Sequence, residues 1–529
     1  LATTAVACSS KDDQTADTSA PVTTEAPETT AAPEDTTDAT TPPTSEDPPA
    51  TSVPEETRGG SVTLGIVAPP PSLDPAASMW GPVSAYYEAV YDTILRVGPA
   101  GEIIPWLATE WTYDDARTEL TLTLRDDVRF TDGSALTAEV VAANLQRFKD
   151  GTASTAVKLA GVTGIETPDE STVVITLAAP DPGFLTALAQ EAGLIASGEA
   201  LDDQNLATTP VGSGPYVLNT SSTVIGSNYV YDRNPDYWNP DAQYFDTIVM
   251  RTGIDPIAAG NAMRAGEVDV SQLNLELRAI ADDAGWNVEE VSTGGIQGLM
   301  LFDRDGQLNP ALGDVRVRQA INFAIDRPTL IEAMNATGTP TVGIMPIGGS
   351  MYDPAIEDVY PYDPDRAREL LAEAGLDGGV TIAMPDLGQR DSWVFLDQML
   401  NDVGITIDWQ ESTVEQSIGD IVTAKYAAVY FALGGPSAWD TVQQVVSPGA
   451  AFNPFKNQDA ELDELIEQMQ TGDEDAQVEA GLEINEWIVD NAWFAPVAGS
   501  TSLVGASPRV TLAEPTTQVL PSIYAIRPV

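Results

Sequence analysis

Residues 9–58 cannot make a core, and this limits everything else the chain can fold into. From Ser9 to Arg58 the sequence is Thr, Pro, Ala, Ser, Asp and Glu, with no aliphatic residue larger than Val. Twelve acids stand against Lys11 and Arg58. A segment this polar buries too little apolar surface to offset the conformational entropy it would lose on ordering. The sequence therefore predicts a disordered tether over 9–58 and a folded body beginning near Gly59. As a flexible coil the tether would span on the order of 40 Å root-mean-square, and proline content and charge repulsion would extend it further.

Cys8, just before this tract, is the only cysteine of the 529 residues. Ala5-Val6-Ala7-Cys8, followed by Ser9 and Ser10, resembles the lipobox of a bacterial lipoprotein signal peptide, with Ala5 where leucine is more usual. Residues 1–8 read as the remnant of such a peptide, its charged part and most of its apolar part missing. A buried free thiol is the alternative, and it conflicts with the polar surroundings. Lipidation at Cys8 is expected, since two acyl chains at about 0.8 kcal/mol per buried methylene hold a protein on a membrane stably.

Charge and composition exclude several functions. The net charge of −56 comes from 80 acids against 24 bases, and a polyanion cannot neutralise phosphates, so nucleic acid is excluded as a partner. The charge reads either as a solvated, self-repelling surface or as a field steering a cationic solute toward a cleft. The sequence has no histidine. That removes Ser-His-Asp and Cys-His hydrolases and every imidazole metal site, so no cofactor or metal is expected. A single cysteine allows no intramolecular disulfide. No run of about 20 apolar residues occurs, the length that a helical span requires.

From Gly59 onward, short apolar strands alternate with amphipathic helices. SVTLGIV (61–67) reads as a strand and PPPSLDP (69–75) as a rigid loop. TELTLTLR (118–125) carries Leu120, Leu122 and Leu124 on one face, and STVVITL (171–177) is a further strand. A helix capped by Thr137 directs Val140, Val141, Leu145 and Phe148 inward. Asp314 caps a second helix with Val317, Ala320, Ile321, Ala324 and Ile325 on one stripe, ended by Pro328. Asp363 and Pro364 open a third that exits at Gly375. VTIAMP (380–385) and GITIDW (404–409) are strands flanking a helix near 393–400. The alternation predicts α/β lobes.

Ordered motifs carry a resemblance. They run Ser72-Leu73-Asp74-Pro75, Tyr91-Asp92-Thr93-Ile94-Leu95, Pro105-Trp106-Leu107-Ala108 and Val128-Arg129-Phe130-Thr131-Asp132-Gly133. Gly212-Ser213-Gly214-Pro215-Tyr216, Arg233-Asn234-Pro235-Asp236-Tyr237-Trp238, Ala265-Gly266-Glu267-Val268-Asp269 and Asp314-Val315-Arg316-Val317-Arg318-Gln319-Ala320-Ile321 follow. From about residue 60 to 500 the chain resembles the family 5 extracellular solute-binding proteins, receptors of ABC importers. The motif residues themselves read as turns and packing rather than as a site.

The resemblance implies an α/β, two-lobe, periplasmic-binding-protein-like fold with an extra subdomain in lobe I. Lobe I is expected at about 60–300 plus 496–529, with the subdomain at about 88–208, and lobe II at about 301–495. Together with the lipobox at Cys8, it implies a membrane-anchored, extracytoplasmic, monomeric receptor with no chemistry of its own. Such a receptor would deliver a peptide, sugar or amine to an ABC permease, touching the membrane through lipid only. Expected cleft residues are Met79 and Trp80 on the loop after the first strand, and Phe302 and Asp303 at the crossover. Gly434, Gly435, Trp439 and Asp440 are expected in the lobe II segment FALGGPSAWD (431–440). Peptide receptors there carry Trp-x-x-Asp, whereas Trp439 and Asp440 are adjacent, and the glycine pair could leave room for a bulkier solute. The rival functions are a surface sensory or adhesion protein on the same fold and a secreted hydrolase using paired carboxylates.

Overall fold

The computed structural model describes residues 58–98, 101–151, 153–334, 336–386, 393–435, 437–513 and 520–529, all within one compact unit, Ser52–Val529. Cys8 and nearly all of the 9–58 tract lie outside the described residues.

Two long antiparallel strands, Asn287–Leu301 and Phe494–Ala506, stand second and third in an eight-stranded sheet and are central in joining its two parts. Val291 still pairs with Ser502 and Ser292 with Thr501, but the next pair is Ile296 with Gly499, so the ladder is interrupted around Thr293-Gly294-Gly295. On one side of the break the strand Phe494–Ala506 pairs with Val270–Leu273, which leads on to Ser61–Ile66, Thr247–Thr252, Asn228–Arg233 and Tyr216–Leu218. On the other side Asn287–Leu301 pairs with Ala428–Leu433. The same two strands thus serve two lobes.

Each lobe has its own apolar interior. The first is built from residues between Val62 and Val291 and between Val504 and Ile526. It includes a four-stranded antiparallel sheet in the order Ala108–Tyr113, Glu119–Leu124, Thr172–Leu177, Val162–Glu166. Leu120, Leu122 and Leu124 face inward at period two. The helix Ala138–Lys149 packs here, with Thr137 Oγ1 accepting from the Val140 N–H at 3.3 Å. Among the described residues the second lobe holds two large cores, one on each face of these long strands, and a smaller cluster around Tyr360. Leu299 and Leu301 enter one, Met300 and Phe302 the other, as strand alternation requires.

The sequence motifs converge on buried polar hubs. Asp92, only 1% exposed, accepts from Trp106 Nε1 at 2.8 Å and Tyr237 OH at 2.9 Å through Oδ1. Its Oδ2 accepts from Ser213 Oγ at 2.8 Å and Trp238 Nε1 at 3.0 Å. Four separate motifs therefore meet at one carboxylate, whose pKa burial pushes up despite the four donors. In lobe II, Arg318 donates to the carbonyls of Leu312 and Asn491, and Arg327 to those of Pro496 and Thr341. Arg327 thus ties the helix Arg327–Ala333 to the strand Phe494–Ala506, and Arg318 ties the helix Val315–Phe323 to the turn just before that strand.

The same burial corrects the expectation for Phe302 and Asp303. Both are 0% exposed. Asp303 accepts from the backbone N–H groups of Gln307 at 2.6 Å, Leu308 at 2.7 Å and Asn309 at 2.6 Å. Its charge is consumed in shaping a turn, and neither side chain presents a surface to a solute.

Candidate functional site

Lobe II supplies one wall of the inter-lobe site. Beyond the strand Ala428–Leu433 the backbone turns at Gly434 with φ +121°, a conformation that L side chains rarely adopt. A Cβ there would stand 2.8 Å from Gly295 Cα, and one on Gly435 would overlap Asp440 Cβ. The glycine pair makes room for the chain's own backbone and side chains. It allows the strand end to close onto the central sheet and onto Asp440. Gly434 N–H donates to Gln444 Oε1 at 2.6 Å and Gly435 N–H to Thr441 Oγ1 at 3.2 Å. Ser437 caps the short helix Ala438–Thr441, and its Oγ donates to Asp440 Oδ2 at 2.7 Å. Trp439 packs into the lobe II core and is 8% exposed.

The facing wall comes from the subdomain of lobe I. Pro180-Asp181-Pro182-Gly183 makes the turn after the strand Thr172–Leu177, with Asp181 Oδ1 accepting from the Gly183 N–H at 2.9 Å. Thr186 and Ala187 follow on the helix Phe184–Leu188. Lys158, on the turn Ser154–Leu159, reaches Glu191 Oε1 at 2.9 Å and Gln190 Oε1 at 3.2 Å. Across the gap, Gln470 Nε2 donates to the Pro180 carbonyl at 3.0 Å.

Between the walls lies a cavity of about 160 Å³, lined by Lys158, Asp181, Gly183, Thr186 and Ala187 on one side and Trp439, Asp440 and Gln443 on the other. The Asp181 pKa is raised, first by burial and also by the Asp440 charge, against the opposing Gly183 N–H and the Trp439 side chain. Among the described residues no three His, Cys, Asp or Glu side chains converge as metal ligands.

Of the expected residues, Trp439 and Asp440 line this cavity and Met79 and Trp80 do not. Met79 is 43% exposed, and Trp80 packs against the lobe I core with its indole N–H buried and without a partner among the described residues. The loop they share is tied to the turn bearing Lys158, because Thr155 Oγ1 donates to the Ser78 carbonyl at 2.9 Å. Sequence reading passed over Lys158, Asp181, Gly183, Thr186 and Gln443. The one available signal was Pro180-Asp181-Pro182-Gly183, a turn sequence directly after a strand.

The model of the bacterial extracellular solute-binding proteins, family 5 (middle region), matches residues 102–451. The chain belongs to this family. Among curated relatives, the glutathione-binding protein GsiB of Escherichia coli (strain K12) is 29% identical over 289 residues, 53% of this chain and 54% of GsiB. The chain thus spans about half the length of that relative. Among solved structures, HbpA2 from Haemophilus parasuis superposes with a TM-score of 0.79 at 21% identity, covering 89% of this chain and 100% of that one. DppA from Helicobacter pylori, in complex with the peptide STSA, gives 0.72 at 22%, covering 90% and 99%. At these identities the likeness establishes the fold, two-lobed and of periplasmic-binding-protein type. In this family 5 chain the motif blocks build hubs such as Asp92, while the inter-lobe cavity is lined by other residues. No helix among the described residues is long and apolar enough to cross a membrane.

Proposed function

We infer that the chain is a non-catalytic receptor that encloses a small solute, peptide-like by relationship, between its lobes and presents it to an ABC importer. The observation that carries this reading is the cavity whose walls come from different lobes, with a tryptophan and paired carboxylates facing it. Sites of this type sit between lobes and fix orientation with few polar groups. Closure would be a hinge motion about the two central strands, and the permease would read the closed form. We take lobe I as about 60–300 plus 496–529 and lobe II as about 301–495.

Met79 and Trp80, close to the turn that bears Lys158, belong to the wider mouth of the site in this reading. Gly434 and Gly435 shape the site without touching the solute. The receptor acts as a monomer outside the cytoplasm, held by lipid on Cys8, and the 9–58 segment lets it sample the membrane near its permease.

Native mass spectrometry of the chain, purified without refolding and compared with its denatured mass, tests the receptor role. A discrete extra mass lost on denaturation is expected. A host-expressed Cys8→Ser variant is expected in the medium or soluble fraction, whereas the parent chain stays with membranes. Equal partitioning of the two would sink the anchor.

A further inference from the structure

The inter-lobe cavity combines two carboxylates and one aromatic wall with no free cation. A Cβ placed on Gly183 would stand 3.4 Å from Asp181 Oδ1, 3.8 Å from Asp440 Oδ1 and 3.2 Å from Trp439 Cδ1. Both acids and the indole therefore border the same small space. Neither carboxylate has an ion-pair partner among the described residues. Lys158, the single cation lining the cavity, is held 2.9 Å from Glu191, whose side chain is 2% exposed. Glu191 Oε2 is buried with no partner among the described residues, so Glu191 has strong cause to retain the Lys158 charge. The wall thus presents two uncompensated acids. Desolvated like charges at such proximity are costly until a cation lies between them.

We propose that this cavity selects solutes bearing a cationic head, an alkylammonium or guanidinium group, over anionic ones. The inference rests on the receptor reading and specifies its solute. The volume of about 160 Å³ suits one such head, since a protein cavity of roughly 150 Å³ holds a benzene-sized guest. Trp439 borders the same space through Cδ1, and its side chain hydrogen-bonds Asp181, which holds that carboxylate in place. The net charge of −56 raises the local concentration of cations around the molecule. Glutathione, named for the relative GsiB, carries two carboxylates and one ammonium, and the paired acids would repel it.

The test is isothermal titration of the full chain with agmatine, trialanine and glutathione at low and high salt. It is repeated with Asp181→Asn, Asp440→Asn and Gly183→Val, each checked for folding by circular dichroism. Agmatine is expected to bind about tenfold or more tighter than glutathione and to weaken as salt rises. Each Asn variant should lose about tenfold in agmatine affinity, and Gly183→Val, which fills the shared space, should lose binding altogether. The wild-type salt dependence reads out charge selection even if a variant fails to fold. Equal or tighter binding of glutathione or trialanine, or unchanged agmatine affinity in both Asn variants, would overturn charge selection and leave the receptor standing. If no probe binds and native mass spectrometry finds no retained solute, the receptor reading falls with it.

Discussion

Asp92 and Asp303 are almost inaccessible, yet each accepts three or four hydrogen bonds, and neither lies where a solute could reach it. A carboxylate removed from water is tolerated only when its lone pairs are occupied, and here they are occupied by the chain itself. Asp303 shows the cost of loosening such a hub. Asp303→Asn puts an amide hydrogen donor against backbone N–H groups that need acceptors, leaving at least one of them buried and unpaired. The expected loss is about 1–3 kcal/mol of stability, read as a lower urea midpoint with an unchanged slope. Solute affinity of the folded fraction should not move. A fall in affinity without a fall in stability would return Asp303 to the site.

Between strand and helix, the segment from Gly434 to Asp440 turns backbone geometry into side-chain position. Gly435 lies so close to Asp440 that a methyl group cannot be added without displacing it. Gly435→Ala is therefore expected to weaken binding of a cationic probe about tenfold, close to the effect of Asp440→Asn, through displacement of the carboxylate. A calorimetric titration in which Gly435→Ala binds like the parent would show that Asp440 has slack. Gly183 plays the corresponding part on the facing wall, where the absence of a side chain keeps open the space between the acids. Its backbone is ordinary helical, φ −82° and ψ −6°, so substitutions there test volume rather than strain.

At the scale of the whole molecule, the two lobes share one sheet and meet again at the cavity, where Gln470 reaches the Pro180 carbonyl. On the proposed reading, charge across that second junction makes ligand capture depend on pH. The folded pKa of Asp181 is raised, so on acidification it takes up a proton at a higher pH than an unperturbed aspartate, near 3.9. The groups facing it are Asp440, the Lys158–Glu191 pair and Tyr113. Burial pushes Tyr113 up to about 12, so it stays neutral at physiological pH. Protonating Asp181 removes one of the two uncompensated charges. Agmatine affinity is therefore expected to be full at neutral pH and to decline as pH falls through the raised Asp181 range, starting above the ordinary aspartate range. In Asp181→Asn this early part of the decline should be missing. Titrations from pH 7 to pH 4 that superpose for the two proteins would contradict the assignment.

The sequence by itself determined the elements and their inward faces, because period-two and period-3.6 patterns and caps such as Thr137, Asp314 and Asp363 are local physics. Its ordered motifs also determined the family and hence the two-lobed fold. In this chain four of those motifs meet at Asp92, so they hold the lobe I interior together. Only the tertiary structure decided which acids border the cavity. Asp303 and Asp440 look alike in sequence, each beside an aromatic residue. One is sealed by three backbone donors from the turn that follows it, and the other sits on the short helix Ala438–Thr441 at the edge of a cavity. Asp181 and Lys158 lie more than two hundred and fifty residues before Asp440. No local pattern links positions brought together by lobe packing, so this half of the site was invisible until the lobes were placed face to face.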